Sequence, residues 1–257
     1  MLALWTVLAS LTFARETGPQ CLPGTPGCVV EESCRSVQGV GCFMPRSGAR
    51  ALLVYFRGNF TRRVPGANVT VGSGGVPRED LPLAAIDAVK QYDLARAAAA
   101  LNASLLVTGS AYQAVSPEQL APFVPEGGRI FVAAHSGGYI GLSASLPKLP
   151  KLAGISLLDC YYGEDDGRLA PLAREIGRRV VQDGTECGGF YNREDAGPRY
   201  ERIFVPNMGP VASARCPAVR MTQADHEKEL DTKLVWAARP KVIKEGLISV
   251  KFADLAR

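Results

Sequence analysis

The chain has 257 residues, of which 47% are hydrophobic and 21% charged, as expected of one α/β domain with a sizeable core or of two small domains. The formal net charge of +4 comes from Arg and Lys residues that are scattered among Asp and Glu. No basic patch interleaved with aromatic residues occurs, so the sequence predicts no binding of nucleic acid.

The first 14 residues, MLALWTVLASLTFA, form an apolar stretch. It is too short to span a bilayer, and Thr12, Phe13 and Ala14 at its end suit a cleavage site. The pattern predicts a secretory signal peptide over residues 1–14, extending to about residue 20, although the usual positively charged start is missing. A first buried strand or helix is the alternative. No later stretch reaches about 18 apolar residues, so the sequence predicts no transmembrane span.

Four of the seven cysteines lie in residues 21–48, a cysteine-rich N-terminal segment: Cys21, Cys28, Cys34 and Cys42. No C-x2-C pair and no nearby His accompanies them, which disfavours a zinc site. Their spacing favours two disulfides formed in an oxidising compartment, with three possible connectivities. The predicted location is therefore secreted or periplasmic.

The other three cysteines lie further along the chain. Cys187 and Cys216 bracket a Gly/Pro-rich stretch and are candidates for a third disulfide. Cys160 lies inside a strand pattern, which is typical of a buried free thiol.

From residue 49 onwards, strand-like and helix-like segments alternate, the pattern of a parallel sheet with crossover helices. Strands are predicted over 51–59, 103–110, 129–134, 153–159, 178–183 and 217–226. Helices are predicted over 81–102, 116–124, 167–177 and 227–239, and the second opens with Ser116 as N-cap and Pro117 at the first helical position. The expected fold class is α/β, a three-layer sandwich with a mostly parallel sheet, in one domain over residues 49–257.

Polar or small residues follow several of these strands. Because parallel strands share one carboxyl edge, where ligands bind in such sheets, we expect these residues to lie at the same edge. They are Gly58, Asn59, Ser136, Asp159, Asp183 and, just past the last strand, His226.

Residues 134–138 read Ala-His-Ser-Gly-Gly between a strand and a helix. A tight turn there admits only small residues two positions before and two after the serine, here Ala134 and Gly138. It also forces Ser136 into a strained backbone conformation that exposes the hydroxyl, while the following helix directs its N-terminal amides at the same point. This stretch resembles the nucleophile elbow of the α/β-hydrolase family, with Ala134 in place of the usual first Gly.

The resemblance implies that Ser136 is the nucleophile of a serine hydrolase. The chain has two histidines. His135 adjoins Ser136 and is expected to point away from it, which leaves His226 as the candidate base, with an imidazole that titrates near neutrality. The order Ser, acid, His along the chain agrees with the family.

Two aspartates are candidates for the acid. Asp159 ends the strand directly after the nucleophile helix, in SLLDCYYG, where a buried charge calls for a partner such as an imidazole. Asp183 follows the next predicted strand, the commonest position in the family, but Asp-Gly also predicts a turn. Asp159 is preferred, and Asp165, Asp166 or no acid stay open.

The resemblance also implies two donors for an oxyanion. One is the backbone N–H of Gly137, directly after the nucleophile. The other belongs to the loop after the strand 51–59, at Gly58 or Asn59, where glycine allows a close backbone approach.

The resemblance covers about residues 51–239. Little room is expected before Ala51 for the two extra antiparallel strands common in the family, so a reduced version is predicted, with the cysteine-rich N-terminal segment in their place. Residues 187–216 are expected either to fold over the site as a lid or to form a long loop, with Tyr191, Tyr200 and Phe204 lining a pocket or anchoring that loop.

These features together predict an exported serine hydrolase that cleaves an ester, or alternatively an amide or peptide bond, through an acyl-enzyme on Ser136. Its partner is a small-molecule or peptide substrate, and neither a cofactor nor a metal is called for. The alternative is a catalytically inactive binding or envelope-associated protein with the same fold. Nucleotide chemistry is disfavoured because neither G-x-G-x-x-G nor G-x-x-x-x-G-K-[ST] occurs.

Overall fold

The computed structural model describes residues 35–37, 39–58, 62–63, 70–71, 94–161, 166–193, 197–216 and 218–221. Several sequence predictions lie outside these residues: the signal peptide, Cys21, Cys28, Cys34, Asn59, Asp165, His226 and the closing helix over 227–239.

The described strands are β1 Arg35–Val37, β2 Gly41–Met44, β3 Ala51–Phe56, β4 Arg62–Arg63, β5 Thr70–Val71, β6 Ala103–Thr108, β7 Arg129–His135, β8 Gly154–Leu158, β9 Glu186–Arg193 and β10 Ala218–Met221. Eight of them form one sheet in the order β1-β2-β6-β3-β7-β8-β9-β10, while β4 pairs with β5. The six strands from β6 to β10 in this order run parallel. The mostly parallel sheet is thus confirmed.

Two antiparallel strands precede Ala51, contrary to the expectation of little room for them. β1 pairs antiparallel with β2, and β2 pairs antiparallel with β6 at one end of the parallel sheet. Gly41 makes this approach possible, because a Cβ there would overlap the Val107 carbonyl oxygen. The strands have three and four residues, too few for a clear alternation in the sequence. Part of the cysteine-rich N-terminal segment therefore belongs to the main sheet.

The described α-helices are α1 Leu94–Ala100, α2 Pro117–Leu120, α3 Tyr139–Ser145, α4 Asp166–Arg178, α5 Gly197–Arg199, α6 Val205–Met208 and α7 Pro210–Arg215. Among the described residues, three 3-10 turns cover Ala121–Phe123, Ser136–Gly138 and Leu146–Lys148. Two π-helical turns in the same part of the chain cover Arg179–Asp183 and Tyr200–Phe204. The predicted cap of α2 is confirmed, since Ser116 and Gln119 form a reciprocal capping box. None of the described helices has the length and apolar character needed to cross a bilayer.

Helices cover both faces of the sheet. All six residues of β3 are buried, as in parallel strands with helices on either side. On one face, α1 shares a buried cluster with Leu53, and on the other, α3 and α4 share a cluster with Val54. This α/β arrangement is compatible with a three-layer sandwich, and it fixes the carboxyl edge of the parallel strands.

The segment 178–183, predicted as a strand, is helical. It continues α4 into the π-helical turn Arg179–Asp183, which ends at Gly184 with φ +70°. Buried apolar residues recur along it at helical spacing: Leu169, Leu172, Ala173, Ile176 and Val180. Arg179 fixes the helix end by donating to the carbonyl oxygens of Leu146 at 2.6 Å and Leu149 at 2.7 Å.

The described residues of the segment 187–216 are mostly strand and helix rather than a lid or a long loop. They contain most of β9, which lies in the main sheet, and the helical turns from α5 to α7, of which the π-helical turn Tyr200–Phe204, α6 and α7 pack against α4. Tyr200 and Phe204 are buried, and the Tyr200 hydroxyl donates to the Cys216 carbonyl oxygen at 2.8 Å. The predicted disulfide between Cys187 and Cys216 is confirmed, with the two Cα atoms 5.4 Å apart.

Candidate functional site

Ser136 lies where β7 turns into α3. His135, the last residue of β7, is extended, and Ser136 starts the 3-10 turn with φ +52°. An L-residue in this left-handed region costs roughly 1–2 kcal/mol. The strained backbone that the motif predicts at Ser136 is therefore confirmed.

The two small residues flanking Ser136 are required by packing. Ala134 has 0% exposure in the sheet. Gly138 lies so close to the end of β3 that a Cβ there would overlap the Phe56 carbonyl oxygen and come within 2.8 Å of the Arg57 carbonyl oxygen. Only a hydrogen fits at position 138, which is the steric reason for a small residue in such a turn.

Gly58, on the segment after β3, lies against the Ser136 turn. A Cβ at Gly58 would lie 2.8 Å from Ser136 Cβ and 2.9 Å from His135 Nδ1, closer than real side chains approach. The backbone at Gly58 thus reaches the serine because it has no side chain. The structure brings these two predicted residues together, and it also turns the His135 ring towards Gly58.

Asp159 occupies the position after β8 that Ser136 occupies after β7. The register pairs His135 with Leu158, so the two residues leave neighbouring strands that are about 4.8 Å apart. Asp159 is completely buried and has φ +49°. Its Oδ2 is a buried oxygen with no hydrogen bond in the described part of the chain, although the residue makes other interactions. A carboxylate in this environment is costly unless its charge is used or compensated.

Cys160 lies beside this pair as a buried free cysteine, as the sequence predicts. Its thiol donates to the Ala134 carbonyl oxygen at 3.3 Å, so it links the ends of β7 and β8. Burial raises the pKa of this thiol well above its usual value, and the neighbouring Asp159 charge raises it further. The thiol therefore stays protonated and contributes to packing rather than to nucleophilic chemistry.

Asp183 does not join the site. It lies just before β9, which starts where Glu186 pairs with Gly154, and hence at the amino edge of the sheet. The five residues of β8 separate that edge from Asp159 by roughly 16 Å at 3.3 Å per residue. Asp183 instead contacts Arg178 at 3.4 Å. The expectation that it lies at the carboxyl edge is wrong, because the segment before it is helical.

The remaining predicted residues stand as follows. Gly137 is buried in the 3-10 turn directly after Ser136. Asn59 and His226 lie outside the described residues. β10 runs parallel to β9 and ends at Met221, so the described chain stops at the carboxyl edge, five positions before His226.

Arg57 is a residue of this site that the sequence analysis missed. It directly follows β3 and is 5% exposed. Its Nη1 donates to the Gly58 carbonyl oxygen at 2.7 Å, while Nε and Nη2 donate to the Gly109 carbonyl oxygen at 3.2 and 3.0 Å. Burial lowers the pKa of Arg57 to about 10. The signal in the sequence is an arginine next to a glycine at the end of a fully apolar strand.

The site therefore has a serine on a strained turn, a close glycine backbone and a buried carboxylate, all at one sheet edge. Such an arrangement suits nucleophilic attack on a carbonyl group. Within the described ranges, no cluster of three or more His, Cys, Asp or Glu residues is placed to hold a metal ion. Comparisons with models of protein families, with curated proteins and with solved structures find no match to this chain.

Proposed function

We propose that the chain is a serine hydrolase of the α/β-hydrolase type that cleaves an ester, or alternatively an amide or peptide bond, through an acyl-enzyme on Ser136. The observation that carries the proposal is the left-handed backbone of Ser136, at φ +52°, at the end of a central parallel strand. Strain of this kind persists at functional sites because the surrounding structure enforces it.

The proposed reaction uses the groups at the carboxyl edge. Ser136 Oγ attacks the carbonyl carbon while its proton passes to His226, and the carbonyl oxygen becomes an oxyanion. Backbone N–H groups of Gly137 and of the loop at Gly58 and Asn59 donate to that oxygen. The protonated His226 then gives its proton to the leaving group, which departs and leaves the acyl group on Ser136. Water, activated by the same imidazole, hydrolyses the acyl-enzyme.

The acid of the proposal is Asp159 rather than Asp183. Asp159 is buried on the strand next to Ser136 and at the same edge. A buried carboxylate favours the protonated form of a neighbouring imidazole, which is what the reaction needs. Asp183 lies at the opposite edge and contacts Arg178, so it supplies a matched control.

Two further features support the family assignment within this proposal. The strands β1 and β2 supply the antiparallel pair that is common in α/β-hydrolases. The Ala134 and Gly138 positions have the small volume that a nucleophile elbow needs. The Cys187–Cys216 disulfide is compatible with an oxidising compartment, so we extend the proposal to a secreted or periplasmic enzyme.

The proposal is tested by labelling the purified, oxidised full chain with a fluorophosphonate, from which an activated serine displaces fluoride to form an O–P bond. We expect labelling of the wild type and none of Ser136→Ala or His226→Ala. Asp159→Asn is expected to slow labelling by roughly 10³-fold or more, whereas Asp183→Asn keeps the wild-type rate. Circular dichroism of each variant establishes that it is folded.

Two results would overturn the proposal: a folded wild type that is not labelled, or a Ser136→Ala variant labelled at the wild-type rate. The first result favours the catalytically inactive binding or envelope-associated protein. If labelling occurs, hydrolysis of p-nitrophenyl esters of increasing acyl length and of matching amides identifies the bond and the chain length preferred.

A further inference from the structure

Arg57 is a buried cation at the edge of the sheet where Ser136 lies. A charged side chain that is 5% exposed needs strong partners to offset its lost hydration. Arg57 has two carbonyl oxygens, those of Gly58 and Gly109, as acceptors of three hydrogen bonds. Its own backbone N–H donates to Thr108 Oγ1 at 3.2 Å. The side chain therefore ties together the segments that follow β3 and β6.

Gly58, whose carbonyl oxygen binds Arg57, is also the residue that lies against Ser136. Gly58 has no free space on the side of Ser136, since even a methyl group would come within 2.8 Å of Ser136 Cβ. A shift of Gly58 by a fraction of an ångström thus changes its spacing from the serine. The Nη1 bond of 2.7 Å to the Gly58 carbonyl oxygen is the shortest of the three, so the guanidinium holds the residue that matters most for this spacing.

We infer that Arg57 is a positioning residue, whose guanidinium holds the backbone at Gly58 at the distance from Ser136 that the oxyanion requires. This inference rests on the proposed function, because an oxyanion forms only if Ser136 attacks a carbonyl group. Oxyanion donors act over about 2.7–3.1 Å, and their contribution depends on placement before the reaction starts. The planar fork of Arg suits the task because its N–H donors point in fixed directions at both acceptors, whereas the three donors of Lys rotate on a flexible stem.

Arg57 makes these contacts as a cation. With its pKa lowered by burial to about 10, Arg57 is protonated at neutral pH. Arg57→Lys keeps the positive charge and should therefore lower the rate without moving the midpoint of the pH–rate profile, which reports the base. A residue that acted as the base itself would move or abolish that midpoint.

The chain offers a matched control in Arg179. This arginine is also buried, at 2% exposure, and donates to the carbonyl oxygens of Leu146, Leu149 and Pro150. It lies at the end of α4, at the amino edge. Arg57→Met and Arg179→Met both remove a buried guanidinium that binds carbonyl oxygens, and Arg179 Nε also donates to Glu175 Oε1 at 2.8 Å, so the loss that follows from removing a buried cation appears in both.

The experiment compares wild type, Arg57→Met, Arg57→Lys and Arg179→Met by the rate of fluorophosphonate labelling, by kcat and KM on a p-nitrophenyl ester, and by the Kd of an alkyl boronic acid. The boronic acid forms a tetrahedral adduct on an activated serine and so reports on oxyanion stabilisation. For Arg57→Met we expect a fall of roughly 10²-fold in kcat and in boronate affinity, with KM within about 3-fold. Arg57→Lys should retain one contact and lose about 10-fold, while Arg179→Met keeps the wild-type kcat.

The outcomes separate this inference from the proposed function. A wild type that is not labelled removes both. A labelled wild type with an unchanged kcat and boronate affinity in Arg57→Met removes the role of Arg57 alone, as does an equal loss in Arg179→Met. Should Arg57→Met fail to fold, Arg57→Lys decides: a wild-type kcat overturns the inference, and a reduced kcat with an unchanged pH midpoint supports it.

Discussion

Ser136 combines a functional position with an unfavourable backbone conformation. Its φ of +52° suits glycine, whereas the Cβ of Ser or Ala makes this backbone conformation unfavourable. Relative to Ser136→Ala, we therefore expect Ser136→Gly to raise the free energy of unfolding by about 1 kcal/mol, with neither variant labelled by a fluorophosphonate. Urea denaturation of the two variants measures the difference. Equal stabilities, or a less stable Ser136→Gly, would contradict the strain assigned to this turn.

Two buried tyrosines near the site differ in how their hydroxyls are satisfied. The Tyr161 hydroxyl has no hydrogen-bond partner within the described structure, whereas the Tyr200 hydroxyl donates to the Cys216 carbonyl oxygen at 2.8 Å. The two rings contact each other, with centroids 5.1 Å apart. Each therefore serves as the control for the other in the same aromatic cluster.

From this difference we expect opposite effects on stability. Tyr161→Phe removes a hydroxyl whose burial is uncompensated, and should leave the free energy of unfolding unchanged or raise it by about 1 kcal/mol. Tyr200→Phe leaves a buried carbonyl oxygen without its donor and should lower it by about 1–2 kcal/mol. Thermal and urea unfolding measure both. A loss in Tyr161→Phe equal to that in Tyr200→Phe would show that the Tyr161 hydroxyl has a partner.

At the scale of single elements, the end of α4 depends on a carboxylate between two arginines. Glu175 Oε1 accepts from Arg178 Nη2 and from Arg179 Nε, both at 2.8 Å. The hydrogen bond from Arg178 is the largest cause that lowers the pKa of Glu175 below its usual value, followed by the bond from Arg179, while partial burial acts against both. The ionised form is thus the one that the folded state favours.

Stability should accordingly depend on pH through Glu175. Because the folded-state pKa is the lower one, its contribution is present in full above the unfolded pKa of about 4.5 and is lost as the pH falls through the folded value. We expect wild type to exceed Glu175→Gln in free energy of unfolding by about 1 kcal/mol at pH 7, and the gap to close towards pH 3. Urea denaturation between pH 3 and pH 7 measures it. A gap that is constant with pH would exclude the charge as its origin.

The elements that the sequence predicted well are those with long, uniform patterns. β3, β6, β7 and β8 are apolar runs with turn residues at their ends, and their carboxyl ends place Gly58, Ser136 and Asp159 at one edge as expected. The segment RRVVQD, which follows residues 167–177, is wrongly predicted as a strand because its two adjacent valines are typical of strands. Val180 lies at helical spacing from Leu169 and Ile176. This spacing is visible only if one already knows that the helix continues past residue 177.

Other parts of the site have no pattern that precedes the fold. β1 and β2 are too short for periodicity, and they form because β6 offers an edge for pairing. The bond from Arg57 to Gly109 joins positions 52 residues apart, and only the parallel pairing of β3 with β6 brings them together. For the same reason, the steric need for Gly138 depends on the Phe56 carbonyl oxygen of a neighbouring strand.

At the scale of the whole molecule, the sheet determines which residues meet, and the disulfide determines how firmly its last strands are held. Cys187 lies in β9, and Cys216 directly follows α7, just before β10. The bond therefore closes the excursion through α5, α6 and α7 that separates two neighbouring parallel strands. A further disulfide involves Cys42 of β2, near the opposite end of the strand order from β9 and β10.

Removing the Cys187–Cys216 bond should weaken the folded state substantially. A sequence separation of 29 residues corresponds to about 3–4 kcal/mol of lost denatured-state entropy, a large part of the roughly 5–15 kcal/mol available to a domain. We expect the double variant Cys187→Ala, Cys216→Ala to lose about 2–4 kcal/mol in urea denaturation. Ser136 should still be labelled at low temperature, since Cys187 pairs with Ile155 near the amino end of β8 and Ser136 lies at the carboxyl edge. Adding dithiothreitol to the double variant reduces only the other disulfides and so measures their contribution separately. Adding it to the wild type reduces all disulfides together. A double variant within about 1 kcal/mol of the wild type would mean that packing of α6 and α7 against α4 is enough to hold this segment.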